Sequence, residues 1–224
     1  MTRYHSEYKK YTSEYAPSFS MNYLLSLPED YTEGEVLPMI VFLHGAGEVG
    51  TTPECLQSTG LMRLIKEGLP VRAVVLAPHL PDRRRVWNNL VDETFELIDK
   101  TAKALRVDEN RISITGLSMG GYGTWEMGIC YKNYFSAMAP ICGGALSWRF
   151  YELTDMPIRT FHGDVDEIVP ISVSYEIVDR INNAGGNVEF TILHNVNHNY
   201  NCWDYAYGRT DLLTWLVSHD KSAR

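Results

Sequence analysis

The sequence contains no segment long and apolar enough to span a membrane, and residues 1–20 lack the uninterrupted apolar core of a signal peptide. An excess of basic charge is also missing. The formal net charge is −8, which argues against nucleic-acid and anionic-membrane partners, because both require a basic patch. These absences lead us to expect a cytoplasmic protein with neither kind of partner.

Cysteine is scarce, and the sequence contains neither a C-x-x-C pair nor an H-E-x-x-H pattern. The common zinc motifs and a disulfide framework are therefore excluded. We expect reduced, mostly buried thiols at Cys55, Cys130, Cys142 and Cys202, and we expect no metal and no cofactor.

Length and composition favour one globular unit. The chain has 224 residues, 45% hydrophobic and 21% charged, with no internal repeat and no linker-like tract. A chain of this size suits one well-cored domain and is short for two. The sequence thus predicts a single domain over residues 1–224, and it leaves the oligomeric state open.

Strand-like and helix-like segments alternate along most of the chain. Apolar runs predict strands at 21–27, 38–43, 73–77, 112–115, 135–139, 158–161 and 187–193. Amphipathic patterns predict helices at 61–67, 89–105, 171–183 and 210–217, with a further helix after Ser118. We expect Pro78 to end its strand and the stretch after Leu193 to form a loop. The alternation predicts an α/β fold with a mainly parallel sheet that is covered on both faces.

One stretch combines a strand, a tight turn and a helix around a serine. Residues 112–122 have the sequence ISITGLSMGGY and include the G-x-S-x-G motif Gly116–Gly120. Its glycines permit a sharp turn that exposes the hydroxyl of Ser118 at the edge of the sheet. The backbone N–H of Met119 is then available to an oxyanion.

A serine nucleophile needs an imidazole to accept its proton, and the imidazole needs a carboxylate to orient it. Two loops that follow predicted strands supply these groups. The first contains Asp164 and Asp166, and the second contains His194 and His198. The order serine, acid, histidine matches that of α/β hydrolases and differs from the other two common serine-hydrolase orders.

Several segments in register carry a resemblance to a known family. They are YLLSLPEDY, VFLHGAGEVG, ITGLSMGGYGTW and HGDVDEIVP, followed by the His198 region. With these segments the chain resembles bacterial α/β hydrolases of the carboxylesterase kind, close to the "predicted peptidase", dienelactone-hydrolase-like and feruloyl-esterase-like groups. The resemblance covers almost the whole chain. It implies an α/β-hydrolase fold with little or no cap domain, and a serine esterase that acts on a small-molecule ester without a cofactor.

The resemblance also assigns the acid and the base. The family pattern H-G-x-x-D-x-x-V-P overlays HGDVDEIVP and implies that Asp166 is the acid, which leaves Asp164 to stabilise the loop. The family's histidine lies just ahead of an aromatic-rich segment, and His198 fits this position better than His194 does. Asn197 stands where such families often carry glycine, a departure that affects the shape of the loop.

The segment HGAGE resembles the oxyanion loop of the family. The resemblance implies that the Ala46 N–H is the partner of the Met119 N–H, with Gly47 as the substitute if the loop is shifted by one residue. His44 is expected to brace this loop, because the triad already has its base.

The binding pocket is the least defined part of the site. Residues expected near the triad as substrate contacts are Glu48, Tyr122, Gly143, Gly144 and Trp203, and Trp87 is a candidate wall. Each aromatic residue is at least as well explained by packing. The stretch between the predicted strands 135–139 and 158–161 is too short for a helical cap. We therefore expect an open, shallow site for short-chain, small or bulky-alcohol esters.

Other functions are compatible with the same residues. A peptidase or thioesterase uses the same triad, although amides are harder to cleave because the leaving amine must be protonated. A non-catalytic binding protein with this fold usually has an incomplete triad, and here all three members are present.

Overall fold

The computed structural model describes residues 1–224. Its strands are β1 Tyr4–Thr12, β2 Ser20–Pro28, β3 Met39–Leu43, β4 Val74–His79, β5 Ile112–Leu117, β6 Ala137–Ile141, β7 Ile158–Gly163 and β8 Val188–Leu193. Its α-helices are α1 Pro53–Leu56, α2 Gly60–Glu67, α3 Val91–Leu105, α4 Met119–Cys130, α5 Ser172–Asn183, α6 Tyr200–Gly208 and α7 Leu212–Ser218. Short 3₁₀ turns cover Ala46–Glu48, Trp87–Asn89, Ser147–Leu153 and Lys221–Ala223. None of the helices combines the length and apolar character needed to cross a bilayer.

All the strands join one sheet in the order β1-β2-β4-β3-β5-β6-β7-β8. The strands from β4 to β8 in this order are parallel, whereas β1 and β2 pair antiparallel at one edge. The carboxyl ends of β3, β5, β7 and β8 therefore open on the same edge, where α/β sheets bind ligands. The predicted fold class, a mainly parallel sheet with helices on both faces, is confirmed.

Two apolar layers cover the sheet, because successive side chains of a strand point to opposite faces. In β3, Met39, Val41 and Leu43 join the core beneath α3, α4 and α5. Ile40 and Phe42 join the core beneath α1, α2, α6 and α7. A strand buried on both faces needs the continuous apolar sequence that β3 has.

Three elements escaped the sequence prediction: the four-residue helix α1, which is too short for a periodic pattern, strand β1 and helix α6. Residues 4–12 form β1, an edge strand in which Tyr11 alone is buried, so it lacks the apolar alternation that identifies a strand. The predicted loop after Leu193 contains helix α6, Tyr200–Gly208. Its polar and aromatic composition concealed the helix, which is capped where Asn199 accepts the Asn201 N–H.

Smaller differences concern prolines and strand ends. Pro78 lies inside β4 and does not end it, and this is possible because the pairing of β3 with β4 stops at Leu76. The strand predicted at 135–139 lies two residues later, at Ala137–Ile141. The thiols are all free, but only Cys142 and Cys202 are buried.

Candidate active site

Ser118 sits on a strained turn between β5 and α4. Its φ is 56°, in the left-handed region that few residues other than glycine adopt. A Cβ on Gly116 would lie 2.4 Å from the Gly120 carbonyl oxygen, and one on Gly120 would lie 1.9 Å from the Leu43 carbonyl oxygen. The two motif glycines are therefore required by close backbone approach, and this packing holds the half-buried serine at the sheet edge.

Three side chains from different loops form one hydrogen-bonded line at this edge. The Ser118 Oγ lies 2.8 Å from His198 Nε2, and His198 Nδ1 lies 2.7 Å from Asp166 Oδ2. A neutral imidazole in this line donates its Nδ1–H to the carboxylate and accepts the serine proton at Nε2. The geometry is that required to deprotonate a hydroxyl nucleophile.

The Asp166 carboxylate is held from two sides. Its Oδ1 accepts the backbone N–H groups of Ile168 and Val169 at 3.0 and 2.8 Å. This leaves Oδ2 directed at His198, and the side chain of Asp166 is only 1% exposed. A buried carboxylate with these donors keeps one orientation relative to the imidazole.

Asn197, where the resembling families often have glycine, joins the two loops. Its Oδ1 accepts the Glu167 N–H at 3.1 Å and the His198 N–H at 2.6 Å. The side chain thus connects the loop that carries Asp166 to the loop that carries His198. The sequence marked this position as a departure but contained no signal for the bridge.

A second histidine, His162 at the end of β7, touches the same carboxylate. It is fully buried, its Nε2 lies 2.8 Å from the Val169 carbonyl oxygen and 3.3 Å from Asp166 Oδ2, and its Nδ1 lies 2.8 Å from Ser174 Oγ. Because a carbonyl only accepts, Nε2 carries the proton. Burial lowers the pKa of His162, which favours this neutral form. The contact with Asp166 was not anticipated from the sequence.

Asp164 and His194, the alternative acid and base, also pair with each other, but they lie outside the line formed by Ser118, His198 and Asp166. His194 Nδ1 lies 2.9 Å from Asp164 Oδ2, and Asp164 Oδ1 accepts the Asn195 N–H at 2.7 Å. The His194 side chain is 81% exposed. The pair therefore stabilises the surface of the β7 and β8 loops and does not contact Ser118.

The HGAGE loop lies directly beside the serine turn. A Cβ on Gly45 would lie 2.9 Å from Leu117 Cδ1, so the loop packs against the residue that precedes Ser118. Ala46 begins a 3₁₀ turn, Met119 begins α4, and neither backbone N–H donates within the protein. Free donors at a helix start suit a developing negative charge.

Buried side chains fix this loop from behind. His44 donates Nδ1–H to the Gly45 carbonyl oxygen at 2.7 Å and accepts the Leu80 N–H at Nε2 at 3.1 Å. Burial lowers its pKa to about 3, so the ring stays neutral. Trp87 donates its indole N–H to the His44 carbonyl at 2.9 Å and is 1% exposed. Trp87 is therefore not a wall of the cleft, which corrects the sequence expectation.

The predicted pocket residues divide into two groups. Glu48 is buried, and its Oε1 accepts the Thr59 hydroxyl at 2.6 Å, which argues against the predicted contact of Glu48 with substrate. Trp203 packs edge-on against His198, with ring centroids 5.7 Å apart. Burial raises the pKa of Tyr122, and the nearby Asp166 carboxylate raises it further. Trp203 therefore packs beside His198, and Tyr122 lies in the first turn of α4 after Ser118.

Two glycines that were expected near the pocket have a packing role. A Cβ on Gly143 would lie 2.6 Å from the Tyr122 backbone nitrogen, and one on Gly144 would lie 2.7 Å from Val173 Cβ. The loop after β6 is thus pressed against the starts of α4 and α5. The Gly143 carbonyl oxygen also lies 2.7 Å from Ser174 Oγ, whose single proton is shared between this carbonyl and His162 Nδ1.

Comparisons with known proteins agree with this architecture. Residues 73–202, more than half of the chain, match the family model described as phospholipase/carboxylesterase. A comparison with curated proteins found no significant match.

Solved structures with the same fold include several esterases. A thermostable esterase is 27% identical, with a TM-score of 0.82; the match covers 96% of this chain and 63% of that one. A ferulic acid esterase is 16% identical, with a TM-score of 0.73 and coverage of 97% and 99%. An S-formylglutathione hydrolase from Staphylococcus aureus is 20% identical, with a TM-score of 0.76 and coverage of 96% and 97%.

The chain therefore spans less than two thirds of the thermostable esterase and nearly all of the other two proteins. The family match includes β5, the serine turn and the loops that carry Asp166 and His198. From this match, the sheet topology and the serine turn, we conclude that the chain belongs to the phospholipase/carboxylesterase family of α/β hydrolases.

Proposed function

We propose that the protein is a serine carboxylesterase that hydrolyses small or short-chain carboxylic esters through an acyl-enzyme intermediate. The observation that carries the proposal is the continuous line from Ser118 Oγ through His198 to Asp166, with contacts of 2.8 and 2.7 Å. The family to which the chain belongs supports the same reaction class.

In the proposed first step, Ser118 attacks the ester carbonyl while His198 Nε2 takes the serine proton. Asp166 keeps the imidazole oriented and stabilises its positive charge. The N–H groups of Ala46 and Met119 donate to the carbonyl oxygen as it becomes an oxyanion, and removing one such donor typically costs about 10²–10³ in turnover.

In the second half of the reaction, His198 returns the proton to the leaving alcohol. The same imidazole then takes a proton from water as the water attacks the acyl-serine ester. His198 returns this proton to Ser118 Oγ when the acyl–serine bond breaks and the acid is released. The overall reaction converts an ester and water into an acid and an alcohol, and it requires no oxidant or reductant.

The preference for small acyl groups rests on the openness of the site. Between β6 and β7 the chain forms only the 3₁₀ turn Ser147–Leu153, with no helical cap. Apolar side chains are exposed on the loop that carries Asp166, at Val165 and Ile168, and at the start of α6, at Tyr200. Such a rim contacts a short acyl chain or an alcohol group but does not enclose a long chain.

Hydrolysis of p-nitrophenyl acetate, butyrate, octanoate and palmitate tests the proposal, with Ser118→Ala measured in parallel. We expect cleavage of the short esters and a loss of at least about a thousandfold in the variant. Equal rates for both proteins would overturn the role of Ser118. A clear preference for palmitate would overturn the short-chain specificity while leaving the triad intact.

Cleavage of amide or thioester substrates distinguishes the alternative peptidase and thioesterase activities. Activity on these substrates that exceeds activity on every oxygen ester, and that depends on Ser118, would replace the esterase proposal with one of them. An inactive wild-type protein would leave a binding function in this fold.

A further inference from the structure

A buried thiol lies directly beside the triad. Cys142 follows β6, and its Sγ, a carboxylate oxygen of Asp166 and a ring nitrogen of His198 all lie within 4.8 Å of one another. Cys202, on α6, is the second buried cysteine and belongs to the same apolar cluster as Cys142, and its proximity adds to the raised pKa of the Cys142 thiol. These residues are far apart in the sequence, so no metal-binding sequence motif predicts the cluster.

The backbone fixes the position of this thiol. Cys142 has a φ of 40°, in the left-handed region that a non-glycine residue seldom adopts, and its N–H donates to the Phe161 carbonyl at 2.8 Å. The Ser118 N–H donates to the carbonyl oxygen of Ile141, the residue before Cys142, at 2.9 Å. Burial raises the pKa of the Cys142 thiol, so the free thiol stays protonated and contributes no charge to the site.

We propose that Cys142, Asp166 and His198 form a binding site for one thiophilic divalent cation of the Zn²⁺ class, with Cys202 available as the fourth ligand, and that this cation inhibits the enzyme. The inhibition rests on the proposed esterase function, whereas the binding does not. The cation is an inhibitor and takes no part in hydrolysis.

The donor set selects the cation. Thiolate and imidazole ligands favour Zn²⁺ and its heavier analogue Cd²⁺, whereas Mg²⁺ and Ca²⁺ require oxygen ligands. Zinc ligands at about 2.0–2.3 Å from the metal lie roughly 3.3–3.8 Å apart in a tetrahedron. The donors in this cluster lie within 4.8 Å of one another, so the thiol needs to approach by at most about an ångström. Asp166 Oδ2 and His198 Nδ1, which lie 2.7 Å apart, have to separate if both become ligands. Each thiol that binds releases its proton to solvent.

Binding of the cation is incompatible with the triad. His198 Nε2 contacts Ser118 and His198 Nδ1 contacts Asp166, so ligation through either nitrogen removes one of the two contacts. The serine then loses either its proton acceptor or the orientation of that acceptor. The His198 side chain is 10% exposed, so a cation in the cleft meets the imidazole before the thiols.

Two inactive variants test the binding without any use of activity. Ser118→Ala keeps every proposed ligand, and we expect it to bind one Cd²⁺ with an ultraviolet thiolate-to-cadmium charge-transfer band. His198→Asn removes a ligand, and we expect its Cd²⁺ affinity to fall by at least about tenfold. No charge-transfer band in Ser118→Ala, or equal affinities in the two variants, would overturn the site.

Inhibition is tested with the metal-free enzyme and p-nitrophenyl butyrate. We expect Zn²⁺ to inhibit reversibly, EDTA to restore the activity and Mg²⁺ to have no effect. Cys142→Ser should raise the inhibitory Zn²⁺ concentration by at least about tenfold, whereas Cys130→Ser, a change at an exposed cysteine, should leave it unchanged.

Equal sensitivity of the two cysteine variants to Zn²⁺ would overturn the assignment of Cys142. If Cys142→Ser fails to fold, the cadmium comparison decides the matter by itself. If the metal-free wild-type enzyme cleaves no ester, the esterase proposal fails while the cadmium comparison still tests the site.

Discussion

The loops after β7 and β8 form two aspartate–histidine pairs with nearly the same geometry. Asp164 and His194 lie 2.9 Å apart, and Asp166 and His198 lie 2.7 Å apart. Exposure separates them: the first pair has side chains 33% and 81% exposed, and the second has side chains 1% and 10% exposed. Only the second pair reaches the Ser118 hydroxyl.

The comparison shows that hydrogen-bond distance alone does not identify a catalytic pair. An exposed ion pair is screened by water and contributes little, whereas a buried one keeps its orientation and strength. The hydrogen bond from His194 lowers the pKa of Asp164, so even the surface pair perturbs its acid. The difference that matters is the position of the second pair beside the Ser118 hydroxyl.

The largest expected effect on kcat comes from replacing the histidine of each pair by alanine. His198→Ala should reduce kcat on a short ester by roughly 10⁴–10⁶, because no other group accepts the serine proton. His194→Ala is the matched control and should stay within about twofold, since the ring lies on the surface. Steady-state kinetics measure both. Comparable losses in the two variants would show that the two pairs act together.

The acids form the next pair of variants. Asp166→Asn should lower kcat by up to about 10⁴, because the amide favours the wrong imidazole tautomer. Asp164→Asn should have almost no effect on kcat, and its circular dichroism should match that of the wild type. An Asp164→Asn variant that loses activity while folding normally would contradict the assignment of Asp166 as the acid.

A smaller effect on kcat is expected from His162, which positions the Asp166 carboxylate and does not contact the substrate. His162→Leu removes the contacts with Val169 and Asp166 and should lower kcat by about ten- to a hundredfold with little change in KM. His162→Gln retains a donor toward Val169 and should recover most of the loss. If both variants keep normal kcat values, His162 is a packing residue only.

The last prediction concerns His44, in the HGAGE loop on the other side of Ser118, and the effect of acid on the stability of the folded protein. The pKa of His44 is about 3 in the folded protein and about 6.5 when unfolded. Between these values the unfolded chain binds a proton that the folded protein does not bind, so stability is greatest above about pH 6.5 and falls with acidification.

The slope expected from His44 alone is about 1.4 kcal/mol of unfolding free energy per pH unit. Urea unfolding between about pH 7 and pH 4 measures it, with His44→Asn as the comparison, because this variant lacks the titrating ring. The wild type should lose stability more steeply than the variant. Parallel curves would mean that His44 takes up a proton in the folded protein.

Much of the architecture was predictable because it depends on local periodicity. Strand β3 has a continuous apolar sequence, β4 begins with one, and the G-x-S-x-G motif at Ser118 marks a strand, turn and helix in one short segment. Strand β1 and helix α6 were not predictable in this way. The edge strand pairs on one side only, and the helix is stabilised by packing against the sheet, so neither needs a regular apolar pattern.

The sequence by itself determined the fold class, the serine turn and the two loops from which an acid and a base would come. Only the tertiary structure decided that Asp166 pairs with His198 and Asp164 with His194, that Asn197 joins their loops, and that Glu48 and Trp87 are buried behind the site. It also brought Cys142 to the triad. The physical reason is that strand and helix patterns arise from neighbours along the chain, whereas burial and side-chain contact depend on which distant segments the sheet places side by side.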